Sequence, residues 1–306
     1  MKKELSVIIP TCNRRESLRE CLESLFVQNY PKDAYEIIVV DDGSPIGTKE
    51  LVGNLIKRGN NNLVYLRQEH RGTAAASNLG MRYAKSNIVA FTEDDCIMPC
   101  DWIGKIVYFH KRYPNVAAIQ GTILNYYRNN LIATLEQKIN DTYLDYILYE
   151  EDDNKYITLF YTGNCSLKIE IFKEQDIVFN KQLLACEDVD LSNQLLEKGL
   201  KILYTERISV LHKYRTNIAS FTKKHFRDGR WRYLLRLIWH KTERDYNTKR
   251  FSPIKFFLKM DFEYLRNYKL KGIILIALHI LRKLARSLGY LYQKMTLGDD
   301  FVYKRI

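Results

Sequence analysis

Several features are missing from this sequence. None of its six cysteines, Cys12, Cys21, Cys96, Cys100, Cys165 and Cys186, forms a C-x-x-C pair. Scattered thiols give no disulfide framework and suit a reducing, cytoplasmic setting in which each is a small buried apolar residue. The opening stretch MKKELSVIIP has too short an apolar run for a secretory leader and leads straight into a strand. The longest apolar run, Gly272–Leu281, is ten residues, whereas a membrane-spanning helix needs about 20. There is no internal repeat and no low-complexity linker. With 46% hydrophobic and 27% charged residues, the composition is that of a folded globular chain.

Charge is unevenly spread. From Lys201 onward there are 25 Lys and Arg against 8 Asp and Glu, and the preceding part is slightly acidic. A basic segment of this kind suits a phosphate-rich partner, either nucleic acid or an anionic membrane surface.

The first 121 residues alternate strand and helix signals. Leu5–Pro10, Glu36–Val40, Leu63–Leu66, Asn87–Thr92 and Val116–Gly121 read as strands. Ser17–Gln28, Lys49–Lys57, Thr73–Lys85 and Trp102–Tyr113 read as helices. Such alternation predicts right-handed βαβ units, a largely parallel sheet, and ligands beyond the carboxyl ends of the strands. Residues 122–160 break the rhythm and read as a mostly helical insertion rich in tyrosine. Tyr161–Ile169 and Lys201–Tyr204 resume as strand-like segments, Glu187–Lys198 as a helix, and the chain from about Ser220 onward as basic helix. The predicted organisation is a catalytic α/β domain over 1–215 and a helical region over 216–306.

Three acidic clusters fall at or near strand or loop ends: Asp41-Asp42, Glu93-Asp94-Asp95 and Glu187-Asp188. Neighbouring carboxylates repel one another unless a cation or a hydrogen-bonding ligand compensates. The triplet at 93–95 follows an apolar strand and offers hard oxygen donors, which suit Mg²⁺ or Mn²⁺ bridged to a nucleotide diphosphate. The plainer alternatives are a turn at Asp41-Asp42, and helix capping by Asp95 or Asp101 and by Glu187-Asp188.

In this order the segments resemble an inverting family 2 glycosyltransferase of the GT-A type, of the kind found in bacterial polysaccharide and glycan assembly. The resemblance is carried by Ser6–Arg14 (SVIIPTCNR), Glu36–Ser44 (EIIVVDDGS), Gly72–Asp95, Gly163–Phe172 and Glu187–Gly199. It implies a GT-A, Rossmann-like α/β fold with a mostly parallel central sheet flanked by helices, followed by a basic helical extension. It places Pro10, Thr11 and Asn13 against the base and ribose, with Asp42, beside Asp41, accepting from the base. Asp95, helped by Glu93 and Asp94, holds Mn²⁺ or Mg²⁺ and the ribose, and His212 is a further ligand or a structural histidine. Asp188 is the general base, and Glu187 orients it or binds the acceptor. Gly163 and Asn164 wall the donor sugar or form an ordinary turn.

Two departures from the family pattern stand out. The triplet begins with Glu93 rather than Asp. Ser77, not Arg, precedes Asn78 in the central helix, so a donor-phosphate contact is missing or falls to Arg71 beside Gly72.

The implied reaction moves a sugar from a nucleotide diphosphate, UDP favoured, to a glycan or lipid-linked hydroxyl. A sugar nucleotidyltransferase would need a Gly-rich phosphate loop after the first strand, and PTCNRRES is not one. Nucleic acid is not expected as a partner, since the acidic clusters would repel it unless metallated. An inactive, donor-binding family member is the other alternative. Residues 270–292 carry apolar and basic faces. They read as a helix lying on an anionic membrane, at the inner face of the cell membrane, or as one packed on the domain or on a second subunit in a homo-oligomer.

Overall fold

The computed structural model describes residues 3–45, 47–239 and 264–297. The part of the basic helical reading that covers 240–263 lies outside them.

The strands form where the sequence is continuously apolar. β1 (Leu5–Thr11) and β2 (Tyr35–Asp42) are buried along nearly their whole length. Such strands require cover on both faces. α1 (Arg15–Phe26) supplies cover through Leu18, Cys21, Leu22 and Leu25, which recur at helical spacing. α2 (Thr48–Lys57) follows β2, and β3 (Leu63–Gln68) pairs with it. α3 (Thr73–Tyr83) buries Ala74, Ala75 and Ala76. It lies so near the sheet that a Cβ on Gly80 would come within 2.6 Å of Ile8 Cγ2. Small residues are what allow that approach.

β4 (Ile88–Thr92) pairs parallel with β1, as β1 does with β2 and β2 with β3. These four strands form the parallel part of the sheet. The next neighbour, β9 (Asn164–Lys168), runs antiparallel to both β4 and β6 (Ala118–Asn125). β10 (Ile202–His212) runs antiparallel to the two-residue β5 (Cys96–Ile97) and to β8 (Asn154–Ile157). With β7 (Leu148–Glu151), the strand order is β3-β2-β1-β4-β9-β6-β10-β8-β7, and β5 pairs with β10 off this path. The result is a ten-stranded mixed sheet flanked by helices, among them α4 (Trp102–Arg112), α6 (Ile169–Glu174) and α7 (Glu187–Glu197).

The stretch 122–160 is less helical than its composition suggests. β6 continues to Asn125, α5 spans Leu131–Ile147, and β7 and β8 form a hairpin. The hairpin turns on Asp152 and Asp153, both with positive φ, at 49° and 59°. Consecutive left-handed residues match the strand twist of a tight hairpin, and Asp tolerates that region. Asn130 caps α5 by accepting from the Ile132 and Ala133 amides, each at 3.0 Å.

The chain divides into two compact units. One comprises residues 1–124 and 149–212, the other 125–148 and 213–306. The first contains the sheet and a core that includes Trp102, Ile103, Ile106, Leu203 and Val210. The second is helical. α5 contributes Leu135 and Ile139 to a core with Phe221 of α8 (Ile218–Trp239) and Leu275 of α9 (Leu270–Leu297). α8 and α9 touch backbone to backbone. A Cβ on Gly229 would lie 2.0 Å from the Arg286 carbonyl oxygen, and one on Gly289 would lie 1.9 Å from that of Phe226. No helix of the described residues is long and apolar enough to cross a membrane.

Candidate active site

The parallel strands end together, so β2 and β4 deliver their acidic ends, and β1 its exit, to one edge. Asp41 is fully buried. Its Oδ1 accepts from the Ser44 amide at 2.8 Å, and its Oδ2 from Tyr65 Oη at 2.6 Å and an Arg67 nitrogen at 3.2 Å. Asp42 Oδ1 accepts from Gln68 Nε2 at 2.7 Å and the Arg71 amide at 2.8 Å. Its Oδ2 accepts from the Gly72 amide at 2.9 Å and faces His70 Nδ1 at 2.8 Å. The two aspartates therefore organise the turns at 43–45 and 69–72. A cleft of about 470 Å³ opens beside them, lined by Gly43, Arg67, Gln68, Glu69 and His70.

Arg71 contributes its main-chain amide here. Its guanidinium is exposed and lies 3.5 Å from Glu69. Gly72 has φ of 86°, a conformation that favours glycine, and the Leu184 side chain packs against it.

The β1 exit reaches the triplet directly. Thr11 Oγ1 donates to Asp94 Oδ2 at 2.6 Å. Pro10 precedes it on the strand, and Asn13 adopts a left-handed φ of 58° with its amide donating to Ser44 Oγ at 2.9 Å. Arg14 then bridges two carboxylates, reaching Asp94 Oδ1 at 2.8 Å and also bonding Asp95 Oδ2. Burial pushes the Asp94 carboxyl up to about 7 against the opposing pull of Arg14. Burial acts the same way on Asp95, yet His212 and Arg14 outweigh it and hold that carboxyl well below the usual range.

His212 arrives from far along the chain. The antiparallel register sets it across from Cys96, next to Asp95. Its Nε2 lies 3.2 Å from Asp95 Oδ1 and 3.5 Å from Glu93 Oε2. Burial alone would lower the imidazole, but these carboxylates lift it to about 10. The metal-binding set compatible with the geometry is Asp95, Cys96 and His212, with Glu93 alongside. Asp95 Oδ1 is buried and faces the His212 ring. Adjacent ligands on an octahedral ion with bonds of about 2.0–2.1 Å stand about 3 Å apart, so this spacing fits a small divalent cation. Cys96 is fully buried, and burial together with Asp95 and Glu93 drives its thiol well above its ordinary value. A neutral thiol is a poor ligand for a hard ion.

Gly163 faces this cluster. A Cβ there would approach Ile123 Cδ1 at 3.3 Å, Cys96 Sγ at 3.8 Å and Glu93 Oε1 at 3.9 Å. Two predicted donor contacts do not join it. The Asn164 side chain accepts from Trp102 Nε1 at 2.8 Å and donates to the Thr122 and Ile208 carbonyls at 2.9 and 3.1 Å. The Asn78 side chain donates to the Phe179 carbonyl at 2.7 Å and accepts its amide at 3.1 Å. Both amides are engaged in holding the fold, so neither is directed at a ligand.

Glu187 and Asp188 open α7, behind Cys186 at φ 64°. Asp188 Oδ1 accepts from the Val189 amide at 2.8 Å. Burial raises the Cys165 thiol, and the Asp188 and Glu93 charges act in the same direction.

Sequence reasoning missed Arg14, Tyr65, Arg67 and His70. Arg14 carried a legible signal: a basic residue just past the β1 exit, beside a parallel neighbour that ends in acids.

The ten-stranded mixed sheet flanked by helices is a GT-A fold. The model of glycosyl transferase family 2 matches residues 6–174, more than half of the chain. The chain belongs to that family and is a glycosyltransferase. It is 26% identical over 236 residues to glycosyltransferase AglE of Haloferax volcanii, covering 74% of this chain and 72% of that protein. It is 27% identical over 230 residues to a dolichyl N-acetyl-α-D-glucosaminyl phosphate 3-β-D-2,3-diacetamido-2,3-dideoxy-β-D-glucuronosyltransferase of Methanococcus voltae, covering 72% and 70%. In fold it is similar to the mannosyltransferase PcManGT of Pyrobaculum calidifontis, solved with GDP-mannose and Mn²⁺. The TM-score is 0.59 at 18% identity, over 98% of this chain and 77% of that one.

Proposed function

We propose that this chain transfers a sugar, with inversion and metal assistance, from a nucleoside diphosphate donor to a hydroxyl of a glycan or lipid-linked acceptor. The observation that carries this reading is the Glu93–Asp95–His212 set at cation-ligand spacing, beside loops organised by Asp41 and Asp42. UDP-sugars are the favoured donors, because a carboxylate at Asp42 suits the imide N–H of uracil once His70, a largely exposed ring, yields its place. The lipid-linked alternative for the acceptor draws on the Methanococcus relative, whose name specifies a dolichyl phosphate-linked sugar.

Pro10, Thr11 and Asn13 flank the base and ribose. Asp95, Glu93 and His212 would hold Mn²⁺ or Mg²⁺, which supplies Lewis-acid stabilisation of charge on the departing diphosphate. Arg14 keeps Asp94 and Asp95 from repelling each other and fixes Asp95 Oδ2, so that Oδ1 faces the ligand position. Asp188 takes the proton from the attacking acceptor hydroxyl, oriented by Glu187. Positioned bases of this kind contribute about 10²–10⁴-fold.

The test is hydrolysis and transfer from uridine, guanosine and thymidine diphosphate sugars, with Mn²⁺, Mg²⁺ or chelator. Full activity in chelator would overturn metal assistance, and preference for a guanosine donor would overturn the uridine reading. Asp188→Asn should abolish transfer while donor affinity stays within about twofold, as expected for a group that acts mainly in the transition state. Near-normal turnover in that variant removes Asp188 from the mechanism.

A further inference from the structure

α9 is apolar on its solvent side as well as in the core. Its buried face carries Leu275 and Leu278 together with the polar His279, Arg282 and Gln293 and the small Ala285 and Gly289. The face left to solvent is large and apolar. Ile273, Ile280, Leu284, Leu288, Leu291 and Met295 are exposed by 50% or more, with Met295 at 85%. They recur at steps of three, four and seven, so they form one stripe along the helix. At 1.5 Å per residue, the 28 residues of α9 extend about 42 Å. A contiguous apolar surface of this length marks an interaction site. The contact of α8 and α9 at Gly229 and Gly289 fixes the orientation, because only the small face of α9 permits it.

The charge on α9 selects the partner. The helix holds Lys271, Arg282, Lys283, Arg286 and Lys294 and no acidic residue. Lys283 and Lys294 each precede a stripe residue, Leu284 and Met295, and so stand about 100° round the helix from it, along the border of the stripe. A second copy would bring like charges together along the seam, where paired helices need opposite signs. An anionic lipid leaflet offers the complement: hydrocarbon for the stripe and phosphate for the lysines.

We infer that the exposed face of α9 docks the protein flat on an anionic bilayer surface. This goes beyond the transfer reading and needs neither donor nor metal.

The experiment is flotation of the full chain with vesicles of phosphatidylglycerol and phosphatidylcholine, and with phosphatidylcholine alone. The wild type should float with the anionic vesicles and bind the neutral ones at least about tenfold more weakly. Leu284→Gln/Leu288→Gln should weaken anionic binding at least about tenfold by removing half-exposed apolar anchors. Lys283→Gln/Lys294→Gln should weaken it and flatten its salt dependence. Both stripe leucines are exposed, so the far-UV circular dichroism should match wild type; Leu291→Gln serves as a second variant if it does not. Wild type that stays off anionic vesicles overturns the inference, as does a stripe variant that floats like wild type. A wild-type dimer that the stripe variant dissociates, with no flotation by either, assigns the face to a second copy and also overturns it.

Discussion

Replacing Asn164 by Ala removes three hydrogen bonds from a side chain that is 1% exposed. The Trp102 indole N–H loses its acceptor, and the Thr122 and Ile208 carbonyls lose a donor. A buried donor left unmatched costs about 1–3 kcal/mol, and each carbonyl adds about 1 kcal/mol. The expected loss is therefore about 3–5 kcal/mol. At about 2–4 °C per kcal/mol for a unit of this size, the melting temperature should fall by about 6–20 °C. Gly121 tests the same hub from outside, since a Cβ there would lie 2.3 Å from both Asn164 Nδ2 and the Ile208 oxygen. Gly121→Ala should destabilise by itself. The double variant should lose less than the two single losses added, because removing the amide relieves one of the two clashes, that with the Ile208 oxygen remaining. Differential scanning fluorimetry, together with donor titration, reads all three variants. Asn164→Ala melting within about 2 °C of wild type, with a raised KM for the donor, would refute the reasoning and return the amide to the donor site.

Asp95→Asn should reduce Mn²⁺ binding in the absence of donor, followed by titration calorimetry, and lower transfer by about 100-fold or more; unchanged Mn²⁺ affinity would move the ion elsewhere. Gly229→Ala should cost the helical unit about 1–3 kcal/mol or more, because its Cβ meets a backbone oxygen that has no rotamer to escape through. Unchanged thermal unfolding would refute that contact. The helical unit should also be acid-labile. Burial lowers His225 and takes His279 down to about 3, so the unfolded chain binds the extra protons once pH drops below the ordinary value of 6.5. Stability then falls by about 1.4 kcal/mol per pH unit for His279, and His225 acts in the same direction. For His279 this continues down to about pH 3. Urea midpoints that hold steady as pH is lowered from neutral would refute this.

The acidic edge was readable because β2 and β4 are apolar runs that stop at carboxylates, at Val40–Asp41 and Thr92–Glu93. Chemistry is legible where one strand end carries both the burial signal and the functional group. The partners of those carboxylates were harder to read. Thr11 and Arg14 reach the triplet because β1 and β4 are parallel neighbours, which is a fact of strand order. The β7–β8 hairpin hid because its turn is Asp152-Asp153 rather than a glycine dipeptide.

By itself the sequence determined the alternation of strands and helices, the three acidic clusters, the apolar and basic character of α9, and the family resemblance. These depend on local pattern, and periodicity records local pattern directly. Only the tertiary structure decided that His212 stands beside Asp95, that Asn78 and Asn164 hold the fold, and that α9 turns its large apolar side outward. Each of these outcomes depends on which groups meet across sheet register or helix contact. Such pairings are set by packing between segments distant in the chain, and no single segment encodes them.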